Sequence, residues 1–321
     1  METRPKNHPH AGQDVRAPLG RPALEQKTFP LAGTPEGDDT GRARYAVRKQ
    51  ERRFNVVGPN QADRHYTVPP EQRLAGIPKL CRDGAYVIAK APRLSGKTTW
   101  ARALARTLRD ERDDGCFAVL SVSFRPLGRP DLPRHEAPAL MIDILLAEAE
   151  AQLPPLLRPP PPPPSYDVRF VGNVLSSWAR VCSLPIVLLL DDVDNMPEPL
   201  VLRLLADLRA TFDARPSAAP WSVVITSAAE IAQSLDIAVV HDLPGFDAHD
   251  IKTLCDQYAE ETGQHFTENA RKRLLELSSG HPWITNALCR EITERLRPPH
   301  REPITELHVL LAQRQLLRVS H

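Results

Sequence analysis

The sequence predicts an α/β fold: a five-stranded parallel sheet between helices, followed by a small all-helical lid domain. Three observations carry this. Short apolar runs at residues 86–89, 116–123, 185–190, 221–227 and 237–240 alternate with helix-spaced segments, as buried parallel strands do. The first run leads directly into Ala91-Pro-Arg-Leu-Ser-Gly-Lys-Thr-Thr99, and then into a segment with Trp100, Leu104 and Leu108 at helical spacing. From Asp247 onward every periodic stretch reads as helix.

Composition sets the outer limits. The 321 residues leave room for two ordinary domains, and 41% hydrophobic with 25% charged residues suits a globular chain. A net charge of +1 offers no global field for nucleic acid or an anionic membrane, so there is no strong case for either as a partner. The five cysteines, Cys81, Cys116, Cys182, Cys255 and Cys289, are scattered and lack metal-type spacing. That usage, with no apolar leader and no membrane-length run, predicts reduced thiols in a cytoplasmic protein. Proline is the outlier, with 33 residues against 15 glycines, and it marks the linkers.

Residues 1–52 are rich in Pro, Gly and charge and poor in large apolar side chains, so they are expected to form a disordered tail. The sheet domain is expected over 53–243. It opens with an extended, Pro-punctuated lead-in at 54–80 and is interrupted by a proline-rich insertion at 153–165. The six-proline run 159–164 reads as a stiff spacer, with an SH3-type ligand as the alternative. The lid domain is expected over 244–321, with Asp247 and Asp250 capping its first helix and Gly263 ending it.

The loop 91–99 fits the phosphate-binding pattern G-x-x-x-x-G-K-[ST], with Ala91 at the first glycine position. Gly96 lets the backbone approach an anion, and the free N–H groups of the following helix point at it. Lys97 supplies a mobile cation for the β- and γ-phosphates, and the Thr98 hydroxyl can complete a Mg²⁺ shell. The expected nucleotide-binding residues are therefore Ala91, Pro92, Arg93, Leu94, Ser95, Gly96, Lys97, Thr98 and Thr99. The cofactors they imply are ATP and Mg²⁺.

The second informative stretch is Ile186-Val-Leu-Leu-Leu-Asp-Asp-Val-Asp194. Carboxylates at the C-terminal end of a buried strand sit at the edge where open α/β sheets bind ligands. Asp191 is placed to hold Mg²⁺, and Asp192 to polarise an attacking water. Lys97 and Asp192 are the expected catalytic residues. The strand at 221–227 ends in hydroxyls, which either sense the γ-phosphate or cap the strand.

The acidic strand comes third in the chain, which is the layout of the additional-strand class of P-loop NTPases, the AAA+ and STAND groups among them. The sequence also resembles a prokaryotic family of AAA-like ATP-binding proteins. The resemblance rests on Phe54-Asn55, Gly58-Pro59, His65-Tyr66, Pro69-Pro70, Arg73-Leu74, the loop 91–99, Asp191-Asp192 with Asp194, and Gly280-His-Pro282-Trp283. It implies an ATP-dependent switch with weak hydrolysis, an unknown protein partner, and nucleotide-dependent homo-oligomerisation. It also implies that Pro282 packs near the nucleotide, although a helix-start proline explains the same residue. Relatives usually carry Glu at the position of Asp192 and tend to extend past the position of His321. An arginine finger from a neighbouring subunit is common in such ATPases, and Arg203, Arg209 and Arg215 are positional candidates. A DNA-associated, initiator-like ATPase and a small-molecule kinase share this core and are the alternative readings.

Overall fold

The structure, a computed structural model, describes residues 52–110, 117–162, 171–227 and 235–319. The expected tail up to residue 51, the start of the second apolar run including Cys116, and the proline run beyond Pro162 lie outside the described residues.

Five strands form one parallel sheet: β1 (Tyr86–Lys90), β2 (Ala118–Ser123), β3 (Ile186–Asp191), β4 (Ser222–Ser227) and β5 (Ala238–Asp242). Their spatial order is β2-β3-β4-β1-β5. β4 is thus inserted between the strand that feeds the phosphate loop and the strand that ends in carboxylates. That insertion sets the two half-sites apart at one sheet edge.

The strands read as near-continuous apolar runs because both faces are covered. On one face Tyr86, Ile88, Leu120, Leu188 and Ile225 pack under three helices, α3 (Ala137–Gln152), α4 (Val171–Val181) and α5 (Glu198–Thr211). On the other, Val87, Ala89, Val119, Leu189 and Val224 pack under α1 (Ile77–Arg82) and α2 (Lys97–Asp110). Alternate residues of one strand serve opposite layers, as the two-residue period requires.

Four helices follow: α6 (Ala248–Thr262), α7 (Glu268–Ser278), α8 (Pro282–Arg290) and α9 (Glu306–Val319), with a π-helical turn at Glu291–Leu296. Asp247 and Asp250 form a reciprocal capping box at the start of α6. Gly263 closes α6 in the left-handed region at φ 76°.

The lead-in divides between the two halves. Leu74, Ile77 and Cys81 pack with the sheet. Phe54, Tyr66 and Val68 instead join Tyr258, Phe266, Leu274 and Leu288 in the core of the C-terminal helices. The Phe54 and Tyr66 rings lie 4.8 Å apart, and both approach Tyr258 at 5.8 Å. Gln257 on α6 accepts from the Thr67 N–H at 3.1 Å and donates to the Thr67 carbonyl at 2.8 Å, as a neighbouring strand would. The Arg52 guanidinium meets Glu261 at 3.0 Å. The sequence expectation had grouped all of 54–80 with the sheet; aromatic burial places its first part on the helices.

Candidate active site

The loop between β1 and α2 turns sharply at two left-handed residues, Leu94 at φ 61° and Gly96 at φ 88°. Ala91, at the first glycine position, does not need positive φ, and its N–H donates to Ser227 at 3.1 Å. A Cβ added at Gly96 would meet nothing within 4 Å, so the glycine keeps an open cradle rather than avoiding a clash. The buried Ser95 Oγ has no hydrogen-bond partner among the described residues. An open cradle, an orphaned hydroxyl and the N-terminus of a 14-residue helix form a donor set that fits a phosphate group.

Lys97 opens α2 and is buried. Its ammonium donates to the Ala91 carbonyl at 3.2 Å and to the Pro92 carbonyl at 3.0 Å. Desolvation lowers its pKa, and the nearby Asp194, Asp191 and Asp192 act against that. Both acceptors are neutral loop carbonyls, so a phosphate would be a stronger partner for the ammonium.

Thr98 donates to Asp191 Oδ2 at 2.5 Å, and Thr226 at the end of β4 donates to Asp191 Oδ1. Asp191 is buried and held by one hydroxyl from each side. This pair is where Mg²⁺ would bind, as the Thr98 hydroxyl and the Asp191 carboxylate are hard oxygen donors. Among the described residues no group of three or more His, Cys, Asp or Glu forms a metal cage. Phosphate oxygens and water would therefore complete the shell, which is the usual manner of Mg²⁺.

Asp192 follows in the left-handed region at φ 60°. Its carboxylate accepts from Ser123 Oγ at 2.8 Å and from Asn195 Nδ2 at 3.2 Å. Burial raises its pKa first, and the charge of Asp191 adds to this, while the Ser123 hydrogen bond lowers it. A carboxylate with a raised pKa in a cleft is suited to accept a proton.

A cavity of about 590 Å³ opens beside Lys97, Thr98 and Asp192. Its walls include Gly96, Lys97, Thr98 and Asp192 on the sheet side, Asn55, Gly58 and Asn60 from the lead-in, and Pro282, Trp283 and Asn286 from α8. α8 reaches the loop because Gly280 lies at φ 74°, with its carbonyl 2.6 Å from the Phe246 N–H. A Cβ there would come within 2.4 Å of the Phe246 carbonyl oxygen, so only glycine fits. His281 then places Nε2 3.0 Å from the Arg93 carbonyl, and Trp283 donates to the Val56 carbonyl at 3.0 Å. Pro282 is both the first residue of α8 and part of the cavity wall.

The solved structures found similar include the following three. A Walker-type ATPase of Pyrococcus abyssi shares 14% identity over 83% of this chain and 75% of that chain, with a TM-score of 0.55. The fold is that of a P-loop NTPase. The inserted strand β4 between β1 and β3 places it in the additional-strand class. The Orc1 protein of Aeropyrum pernix, solved in complex with DNA, shares 17% identity over 83% of this chain and 67% of that one, at a TM-score of 0.46. The RuvB Holliday junction branch migration motor of Thermotoga maritima shares 15% over 77% and 68%, at 0.45. These two scores are too low to carry an argument. No protein-family model matches the chain, and no curated protein matches it.

Of the remaining expected site residues, Thr99 accepts from the Asn60 N–H at 3.3 Å, and Arg93 reaches Asn195 Oδ1 at 3.3 Å. Leu94 is exposed. The three finger candidates all make contacts within the chain. Arg215 stacks 3.5 Å from the Phe212 ring centre and donates to the Gly84 and Trp221 carbonyls, which makes it an internal brace. Arg203 pairs with Asp207 and Arg209 with Asp236. Sequence reasoning missed Ser123, Asn195 and His281. The signal for Ser123 was its position: it ends β2 in register with Asp191. Thr226 was read as a phosphate sensor or a strand cap, and its hydroxyl is spent on Asp191.

Proposed function

We propose that this chain is an ATP-binding protein of AAA-like, STAND-type character that binds Mg-ATP and hydrolyses it slowly, as a nucleotide-dependent switch. The single observation that carries the reading is the 2.5 Å contact between Thr98 of the phosphate loop and Asp191 of β3. Two motifs 93 residues apart meet there through the two side chains that a bound Mg²⁺ needs.

The geometry supports the following division of roles. The N–H groups at the start of α2 and the Ser95 hydroxyl receive phosphate oxygens. Lys97 leaves the loop carbonyls and neutralises phosphate charge. Thr98 and Asp191 hold the metal, whose chemistry when bound is to polarise the phosphate and offset its developing charge. Asp192 orients an attacking water and takes its proton. Its side chain is a methylene shorter than Glu and is already bonded to Ser123 and Asn195. Slow turnover is the consequence.

Residues 244–321 act as the lid, and the lead-in residues 52–68 move with them, because they share that half's core. His281 and Trp283 carry the nucleotide state between the halves. A protein partner reads that state in the cytoplasm, with self-association coupled to nucleotide. Among the described residues no helix is long and apolar enough to cross a membrane. The test is single-turnover hydrolysis of labelled ATP with and without Mg²⁺, alongside size measurement in ADP and ATP. Slow, Mg²⁺-dependent turnover with a size change on nucleotide exchange supports the reading. Phosphate transfer to a small molecule instead of water overturns it.

A further inference from the structure

Asn286 is 3% exposed, on the second turn of α8, in the wall of the cavity that also holds Lys97 and Thr98. Its amide nitrogen donates to the Pro282 carbonyl at 2.8 Å. A carbonyl only accepts, so this bond fixes which amide atom is nitrogen and which is oxygen. Oδ1 is then left buried with no hydrogen-bond partner among the described residues. A buried acceptor without a donor is costly, so it marks a position where a ligand donor gains affinity.

Its place along the cleft narrows the ligand group. The first contact of α8 with the phosphate loop is His281 on the Arg93 carbonyl. Five residues further, at about 1.5 Å each, Asn286 lies roughly 7.5 Å along the helix from that contact. Trp283 ties the intervening turn to Val56, in the lead-in segment that forms another wall of the cavity. The other amides of that wall are already engaged. Asn55 donates to the Gly58 carbonyl and to Asn60 Oδ1, and Asn60 donates to Thr67.

We propose that Asn286 is a specificity residue for the base, and that its Oδ1 accepts a hydrogen bond from the exocyclic amino group of adenine. This rests on the nucleotide-site reading above. Guanine carries an oxo group at the same ring position, so acceptor would face acceptor and the wrong base is rejected. Oδ1 exposes less than 1 Å² to water, so base entry goes with a slight outward shift of the first turns of α8.

The test is equilibrium binding of the full chain to four triphosphates: ATP, purine riboside triphosphate (which lacks the amino group), 2′-deoxy-ATP and GTP. ATP and 2′-deoxy-ATP should bind alike, and both about tenfold or more tighter than the other two. In Asn286→Leu, ATP should weaken to the level of purine riboside triphosphate, whose own affinity stays near the wild-type value. The wild-type series stands even if the variant does not fold. Equal binding of ATP and purine riboside triphosphate overturns the proposal and leaves the nucleotide site standing. Loss with 2′-deoxy-ATP alone would give the oxygen to the ribose and overturn it too. Failure of all four to bind overturns the nucleotide site itself.

Discussion

Ser123, the last residue of β2, donates a hydrogen bond to the Asp192 carboxylate at 2.8 Å. The bond stabilises the ionised carboxylate against burial and the neighbouring charge of Asp191, which both push its pKa up. A general base must be ionised to work, so turnover should fall as pH drops through that raised pKa. Ser123→Ala removes the one hydrogen bond that favours the ionised form from β2. The acid limb of the kcat profile should then move to higher pH, while ATP affinity at neutral pH stays within about twofold. A profile measured from about pH 5 to 9 decides. An unmoved limb would take the base role away from Asp192.

Binding and hydrolysis should separate at the two adjacent carboxylates. Asp192→Asn keeps volume and removes charge, so ATP affinity should hold within a few fold and turnover drop about a hundredfold, the scale of a lost general base. Asp191→Asn should instead weaken Mg²⁺-dependent binding, because Thr98 and Thr226 both donate to that carboxylate and the metal loses its ligand. Turnover by Asp192→Asn equal to wild type would shift attention to Asp194.

The parts legible in the sequence were those in which chemistry fixes spacing. Gly96-Lys97-Thr98 after an apolar run, and Asp191 at the end of another, specified loop, strand and sheet edge. The capping residues Asp247, Asp250 and Gly263 specified the first of the C-terminal helices. Legibility ended where partners are distant in the chain. Nothing local to Phe54 or Tyr66 shows that they pack on Tyr258, about two hundred residues on, because an extended segment has no periodicity that names its partner. Ser123 and Asn195 looked like ordinary polar residues at strand and turn ends. Arg215 was a finger candidate by position alone, and nothing local in the sequence shows that it is half-buried and stacked on Phe212.

The division of the lead-in gives a stability prediction. Deleting residues 1–50 should leave the melting temperature nearly unchanged, because that stretch has too few large apolar residues to build a core. Deleting residues 1–68 should be severe, because Phe54, Tyr66 and Val68 leave the core of the C-terminal helices. Loss of one buried aromatic ring costs about 3–5 kcal/mol, so two rings exceed the stability margin of many domains. Thermal melts of the two truncations test this. Equal melts would show that the lead-in is dispensable to the helices.

The account stands most directly on Lys97. Its ammonium is buried at the start of α2 and, among the described residues, donates to the Ala91 and Pro92 carbonyls, which a phosphate can replace. Titrating Lys97→Ala and wild type with a fluorescent ATP analogue in Mg²⁺ is the decisive comparison. The account predicts tight binding by wild type and an affinity at least about tenfold to a hundredfold weaker in the variant, the value of a charge-assisted bond. Equal affinity in the two proteins, with the variant folded by circular dichroism, would contradict it.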